Sequence, residues 1–209
     1  FKAGQHQSFE AFCHDNQLDN RPVIALLAGS RRQEVKDNLP AMIEAASAFK
    51  DKYQLVLAKA PSLDDDYYAP FLKGKDIKAV SDKTYALLSH STAALVTSGT
   101  ATLETALFGV PQTVCYKTPV PRLIRFAFNH VLKVRFISLV NLIADREVVS
   151  ELFAERFSVD QIRDDLRSIL PGGSRREAML QGYDDVASRL GHTSAPDNAA
   201  RIMVKLLKG

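Results

Sequence analysis

Short apolar runs at residues 23–28, 55–58, 77–80, 93–97 and 113–116 alternate with helical periodicity near 38–50, 67–72, 85–89 and 102–108, and no other feature constrains the fold more tightly. The run Val23-Ile24-Ala25-Leu26-Leu27-Ala28 has no polar side to turn toward water, so it predicts a strand covered on both faces. Strands of this kind joined by helices make a parallel sheet, because each connection must cross over before the next strand can run in the same direction. The expected fold class is therefore α/β, a Rossmann-like parallel sheet with helices on both faces. After Tyr116 the alternation is expected to stop, and the last third reads as helices at 159–169 and 175–189, separated by Pro171-Gly172-Gly173. With 209 residues, 46% of them hydrophobic, the chain can bury a sizeable core. The expected organisation is one domain over residues 1–194 and a terminal helix over 195–209, whose stripe of Ala199, Ile202, Met203, Leu206 and Leu207 needs a partner surface.

Two of the predicted strands end in glycine turns. Ala93-Ala94-Leu95-Val96-Thr97 runs into Ser98-Gly99-Thr100-Ala101-Thr102-Leu103-Glu104, a strand, a small-residue turn and a helix start. The unpaired N–H groups at such a helix start, together with its dipole, favour an anion, and phosphate is the natural guest. Glu104 lies about one turn further in, where its carboxylate would repel phosphate but accept hydrogen bonds from sugar hydroxyls. The pattern points to a nucleotide. Taken alone it is equally a helix cap with an acidic first turn. The second turn, Gly29-Ser30-Arg31-Arg32, follows the apolar run at 23–28; its glycine lets backbone approach a ligand closely and its arginines offer forked donors to phosphate oxygens. We take Gly29, Ser30 and Arg31 as ligand-facing, and Arg32 stays open between that role and an ordinary solvated turn. Ligands of open parallel sheets bind beyond the carboxyl ends of the strands, where both turns lie.

In content and order, Gly29-Ser30-Arg31 with Glu34 and Asn38-Leu39-Pro40, then 98–104, Tyr116-Lys117, Ser138-Leu139-Val140-Asn141-Leu142-Ile143 and Arg146-Glu147 resemble lipid-A-disaccharide synthase. The likeness runs from about Pro22 to the C-terminus and covers only the family's C-terminal half. With Phe1 as its first residue, the chain reads as an excised domain or fragment of a longer enzyme. The resemblance implies the C-terminal, donor-binding domain of a two-domain GT-B glycosyltransferase that joins a UDP-linked 2,3-diacylglucosamine to 2,3-diacylglucosamine 1-phosphate. It implies no cofactor, and a general base supplied by the absent N-terminal domain. By the same resemblance Glu104 would hold ribose hydroxyls, and Arg31, Ser30 and the N–H groups of Ser98, Gly99, Thr100 and Ala101 would face the diphosphate. Tyr116 and Lys117 would border the sugar or diphosphate, while Asn141 and Arg146 would complete the donor site. Ala28, Val140 and Ala154 depart from the family's usual Pro, Pro and Gln, so Ala154 receives no role. The rival readings are another UDP-sugar enzyme, such as a UDP-N-acetylglucosamine 2-epimerase, and a non-enzymatic nucleotide-binding module.

Charge and composition narrow the partners. The formal net charge is only +3, with 27 basic residues dispersed among 24 acidic ones, which argues against nucleic acid. Cys13 and Cys115 have no metal-ligand spacing and the histidines are scattered, so no metal is expected. Cys115 reads as a buried free thiol, consistent with the cytoplasm. Residues 122–135 mix Leu123, Ile124, Phe126, Phe128 and Val131 with Arg122, Arg125, Lys133 and Arg135. Such a helix either packs inside the protein or lies in a membrane interface, and the resemblance adds weight to a peripheral position on the cytoplasmic face of the inner membrane.

Overall fold

The computed structural model describes residues 7–117 and 135–191. Six strands form one fully parallel sheet: β1 (Val23–Leu27), β2 (Gln54–Lys59), β3 (Ile77–Ser81), β4 (Ser91–Thr97), β5 (Gln112–Tyr116) and β6 (Ser150–Phe153), in the order β3-β2-β1-β4-β5-β6. Among the described residues the helices are α1 (Phe9–Asp15), α2 (Arg32–Ser47), α3 (Asp65–Leu72), α4 (Thr84–Ser89), α5 (Thr100–Leu107), α6 (Leu139–Ala144), α7 (Val159–Ile169) and α8 (Arg176–Leu190). The Rossmann-like α/β fold is thus the one the alternation requires.

Strand β1 shows why. Every residue of Val23–Leu27 is buried, with Ile24 and Leu26 on one face and Val23, Ala25 and Leu27 on the other. The first face is covered by α2, α7 and α8 through Leu39, Met42, Ile43, Ile162, Leu166, Met179 and Val186. The second is covered by α1 and α4 through Phe12, Leu87 and Leu88. Burying side chains such as these contributes about 1.5–3 kcal/mol each, which offsets the backbone entropy lost on ordering the sheet.

Two expectations are corrected. The alternation does not stop at Tyr116, because β6 adds a sixth parallel strand beside β5, with Val114 opposite Glu151 and Tyr116 opposite Phe153. By composition Asp64-Asp65-Asp66 reads as a solvated turn, whereas Asp64 stands at the N-cap of α3 and Asp65 and Asp66 form its first turn, where acidic residues complement the helix dipole. The stripe at 199–207 and residues 122–134 lie outside the described residues. Both cysteines are buried free thiols, and burial pushes the Cys115 thiol well above its ordinary value.

The far edge of the sheet is tied by one carboxylate. Asp165 of α7 accepts from Thr113 Oγ1 of β5 at 2.6 Å, from Ser150 Oγ of β6 at 2.5 Å and from the Arg175 guanidinium before α8 at 2.5 Å. Its side chain is only 12% exposed, and removing it takes an acceptor from three partners at once, of which Ser150 and Arg175 still have each other. Asp165→Ala is expected to cost about 2–4 kcal/mol, with Arg175 still partly open to water. Urea unfolding checks this, and a loss under about 1 kcal/mol would show that the four elements hold together without it.

Candidate functional site

The strand order places β1 and β4 side by side at the point where successive connections leave in opposite directions, and their carboxyl ends open into a crevice there. Both glycine turns emerge from it. A cleft of about 400 Å³ is lined by Gly29, Ser30 and Arg31 after β1, Lys59, Ala60 and Pro61 at the end of β2, Ser98, Gly99, Thr100 and Ala101 after β4, and Glu34, Thr84 and Glu104 from the helices. Two segments far apart in sequence therefore share one concave surface.

The two turns are built differently. At the β4 turn, Gly99 has φ +151° and opens α5; the Thr102 N–H donates back to the Gly99 carbonyl at 3.2 Å, while the N–H groups of Thr100 and Ala101 precede the intrahelical ladder. Ser98 Oγ is already engaged, donating to the Ile137 carbonyl at 3.0 Å. At the β1 turn the backbone donors are taken from within. Glu34, one turn into α2, accepts from the N–H groups of Ser30 at 3.0 Å and Arg31 at 3.3 Å, and its other oxygen lies 3.7 Å from the Arg31 guanidinium. Gly29 has φ +100°, and a Cβ there would stand 2.5 Å from a Glu34 carboxylate oxygen. The glycine thus serves the Glu34 cap as well as the turn.

Glu104 is half-buried and faces the same cleft, where it accepts a hydrogen bond from Tyr85 Oη at 3.0 Å. That bond holds the Tyr85 hydroxyl above the usual phenol value, so it stays a donor at neutral pH. The remaining lone pairs of the carboxylate are available to a ligand.

Asn141, Arg146, Tyr116 and Lys117 are not brought into this cleft. Asn141 is fully buried, its Nδ2 donating to the Val149 carbonyl and to Glu151 and its Oδ1 accepting from the N–H groups of Val148 and Val149. All its amide capacity is used in folding the loop between α6 and β6. Glu151 also accepts from Ile137 N, Ser138 N and Ser138 Oγ, and so fixes the segment entering α6. Arg146 lies 3.4 Å from Asp185 of α8. Tyr116 ends β5, and the Lys117 N–H donates to buried Asn38 of α2 at 2.8 Å, which anchors the chain as it leaves the sheet.

With this geometry in hand, the comparisons are decisive. A family model described as lipid-A-disaccharide synthetase matches residues 4–202. The chain belongs to that family. It is 37% identical over 191 residues to the lipid-A-disaccharide synthase of Myxococcus xanthus (strain DK1622), covering 89% of this chain and 49% of the relative. It is 32% identical over 192 residues to that of Geobacter sulfurreducens, covering 90% and 50%. The chain spans about half the length of the curated relatives it matches. Similar solved structures include WaaG, a glycosyltransferase involved in lipopolysaccharide biosynthesis, with TM-score 0.55 at 17% identity over 92% of this chain and 50% of that one. A putative UDP-N-acetylglucosamine 2-epimerase from Listeria monocytogenes aligns with TM-score 0.56 at 14% identity, covering 91% and 50%. These likenesses show the fold, one Rossmann-like half of larger proteins.

Of the residues at the cleft, Glu34 carries part of the family resemblance without a role assigned from sequence, and Lys59 and Tyr85 stand out in neither pattern nor resemblance. Glu34 follows Arg31 by three residues, the spacing of a capping box, and that signal was present. Lys59 and Tyr85 carry no signal of their own, since each reaches the cleft only because its element ends there. The Gly29–Glu34 contact predicts that Gly29→Ala costs about 1–3 kcal/mol through backbone strain and displacement of the cap. In a Glu34→Ala background the same change should cost less, because the clash with the carboxylate is gone while that with the residue-34 Cβ, at 2.7 Å, stays. A double-mutant cycle by urea unfolding measures the difference, and equal costs in both backgrounds would show that the contact carries no energy.

Proposed function

We propose that this chain is the donor-binding half of a lipid-A-disaccharide synthase, taking a UDP-linked acylated glucosamine and passing its sugar to an acylated glucosamine 1-phosphate with release of UDP. The observation that carries this reading is the meeting of Gly29–Arg31, Ser98–Ala101 and Glu104 around one cleft at the sheet's switch point. Family membership favours it over the 2-epimerase and binding-module alternatives.

The chemistry follows from the cleft. Transfer breaks the bond between the anomeric carbon and the diphosphate oxygen, and negative charge accumulates on the departing UDP. The N–H groups opening α5 are fixed donors for that charge and are worth most at the transition state, and the exposed Arg31 guanidinium can add its charge beside them. Glu104 accepts from the ribose hydroxyls while Tyr85 holds its carboxylate in place. The acceptor hydroxyl attacks the anomeric carbon and surrenders its proton to a base that we place in the other half of the enzyme. Acylated substrates put the reaction at a membrane surface, and we propose that the protein works peripherally on the cytoplasmic face; no helix of the described residues is long and apolar enough to cross a membrane.

Binding and turnover should therefore separate. The chain is expected to bind UDP and, mixed with acylated donor and acceptor, to transfer no sugar. Glu104→Gln should weaken UDP by about ten- to hundred-fold, since a hydrogen bond to a charged group contributes roughly 1.5–3 kcal/mol. Titration calorimetry supplies both numbers. Unchanged affinity in a folded Glu104→Gln chain reduces Glu104 to a helix residue, and transfer by this chain alone refutes the half-enzyme reading.

A further inference from the structure

The charged groups around the cleft leave an incoming nucleoside diphosphate short of counter-charge. Glu34 and Glu104 are both negative. Arg31 is positive, but its side chain is 83% exposed and turned toward Glu34, and the N–H groups of Ser30 and Arg31 already serve that same carboxylate. At the β1 turn, then, the most obvious phosphate donors are compensated from inside the protein.

Lys59 stands on the opposite wall. It closes β2 and lines the cleft together with Gly29 and Ser98, and its side chain is only 14% exposed. The ammonium is paired with Asp65 at 2.6 Å, whose side chain is 81% exposed at the start of α3. An ammonium held against the protein gains more from a neighbouring anion than a solvated one, because fewer waters screen it. Its present partner is weakly held by comparison. An exposed carboxylate keeps most of its hydration when the pair opens, so exchange of Asp65 for a phosphate oxygen costs little. Lysine, as a compact charge with rotatable donors, suits such an exchange better than a forked guanidinium would.

We propose that Lys59 is the mobile counter-charge of the nucleotide site. It rests on Asp65 when the cleft is empty and turns to the diphosphate when the nucleotide enters. Lys59 is then a charge-specificity residue: it favours nucleoside diphosphates over the neutral nucleoside, while Glu104 reads the ribose. The inference rests on the proposed UDP site and deepens it. It has a signature that an ordinary surface pair lacks, because the two partners of the pair should act in opposite directions. Removing Lys59 weakens UDP. Removing the Asp65 charge frees Lys59 and strengthens UDP.

The test is titration calorimetry of the 209-residue chain with UDP and with uridine, on the wild type, Lys59→Met, Lys59→Arg, Asp65→Asn and the double variant Lys59→Met/Asp65→Asn. Lys59→Met keeps the apolar stem, and Lys59→Arg keeps the charge if the methionine chain fails to fold. The expected result is a UDP affinity lowered about ten-fold by Lys59→Met, a uridine affinity within about two-fold of wild type, and a UDP affinity raised about two- to three-fold by Asp65→Asn. The double variant should match Lys59→Met, since Asp65 acts only through the ammonium, and Lys59→Arg should stay within about three-fold of wild type. Three results overturn the inference while leaving the UDP site standing: Lys59→Met binding UDP as wild type does, Lys59→Met weakening uridine as much as UDP, or Asp65→Asn weakening UDP alongside Lys59→Met. A wild-type chain that binds no UDP overturns the proposed function itself, and the inference falls with it.

Discussion

The parallel pairing of β1 with β4 is the contact on which both fold and site depend. Ile24 lies opposite Ala93 and Leu26 opposite Leu95, and all four are fully buried. Because the chain reaches β4 only after making β2 and β3 on the other side of β1, the turns after β1 and β4 face each other across a crevice that no connection crosses. Small apolar side chains on β4, Ala93 and Ala94, let the helices approach the sheet at this point. The cleft is thus a consequence of topology and burial, and the polar residues around it are lodgers on a frame set by apolar ones.

Carboxylates hold the loops on that frame. Glu34 gathers the backbone of the β1 turn, Glu151 gathers the segment before α6, and Asp165 ties β5 and β6 to α7 and the start of α8. Each accepts from several donors at once, which is how a buried or half-buried charge is tolerated. The β4 turn is joined to the second of these through Ser98, which donates to the carbonyl of Ile137 while the Ile137 N–H donates to Glu151. One side of the proposed nucleotide site is therefore positioned by a carboxylate two strands away. The other side is positioned by a carboxylate within the cleft itself, and only there does the protein compete with its ligand for the same donors.

The strands that could be read from sequence were those made of unbroken apolar residues. β1 to β5 appear within a residue or two of where the pattern puts them; β1 and the core of β4 are buried on both faces, and even edge strand β3 keeps Ile77 and Val80 buried around exposed Lys78. β6 escaped because Ser150-Glu151-Leu152-Phe153 reads as polar; Ser150 and Glu151 are buried only because Asp165, Ser138 and Asn141 meet them, and those partners come from elsewhere in the chain. α1 was not read from the sequence; of its seven residues only Phe12 and Cys13 are buried, adjacent positions that form no helical stripe. In the site, the glycine turns were legible since only glycine is comfortable at the φ of Gly29 and Gly99. Asn141 was placed in the donor site by the resemblance of residues 138–143 to the family's motif, and its local role, an amide bonded to Val148, Val149 and Glu151, shows only once the loop is folded. Lys59 was invisible for the converse reason: a lysine after an apolar run is ordinary until β2 is seen to end beside the two turns.

We propose that the nucleotide occupies the crevice between the β1 and β4 turns. Backbone amide chemical shifts of the nitrogen-15-labelled chain, followed through a UDP titration, test it most directly. The largest changes are expected at Gly29, Ser30, Ser98, Gly99, Thr100 and Ala101, a smaller set around Lys59 and Glu104, and little at Val148, Val149 or Asp185, which lie with Asn141 and Arg146 away from the cleft. Changes concentrated around Asn141 and Arg146, with the two glycine turns unmoved, would contradict it.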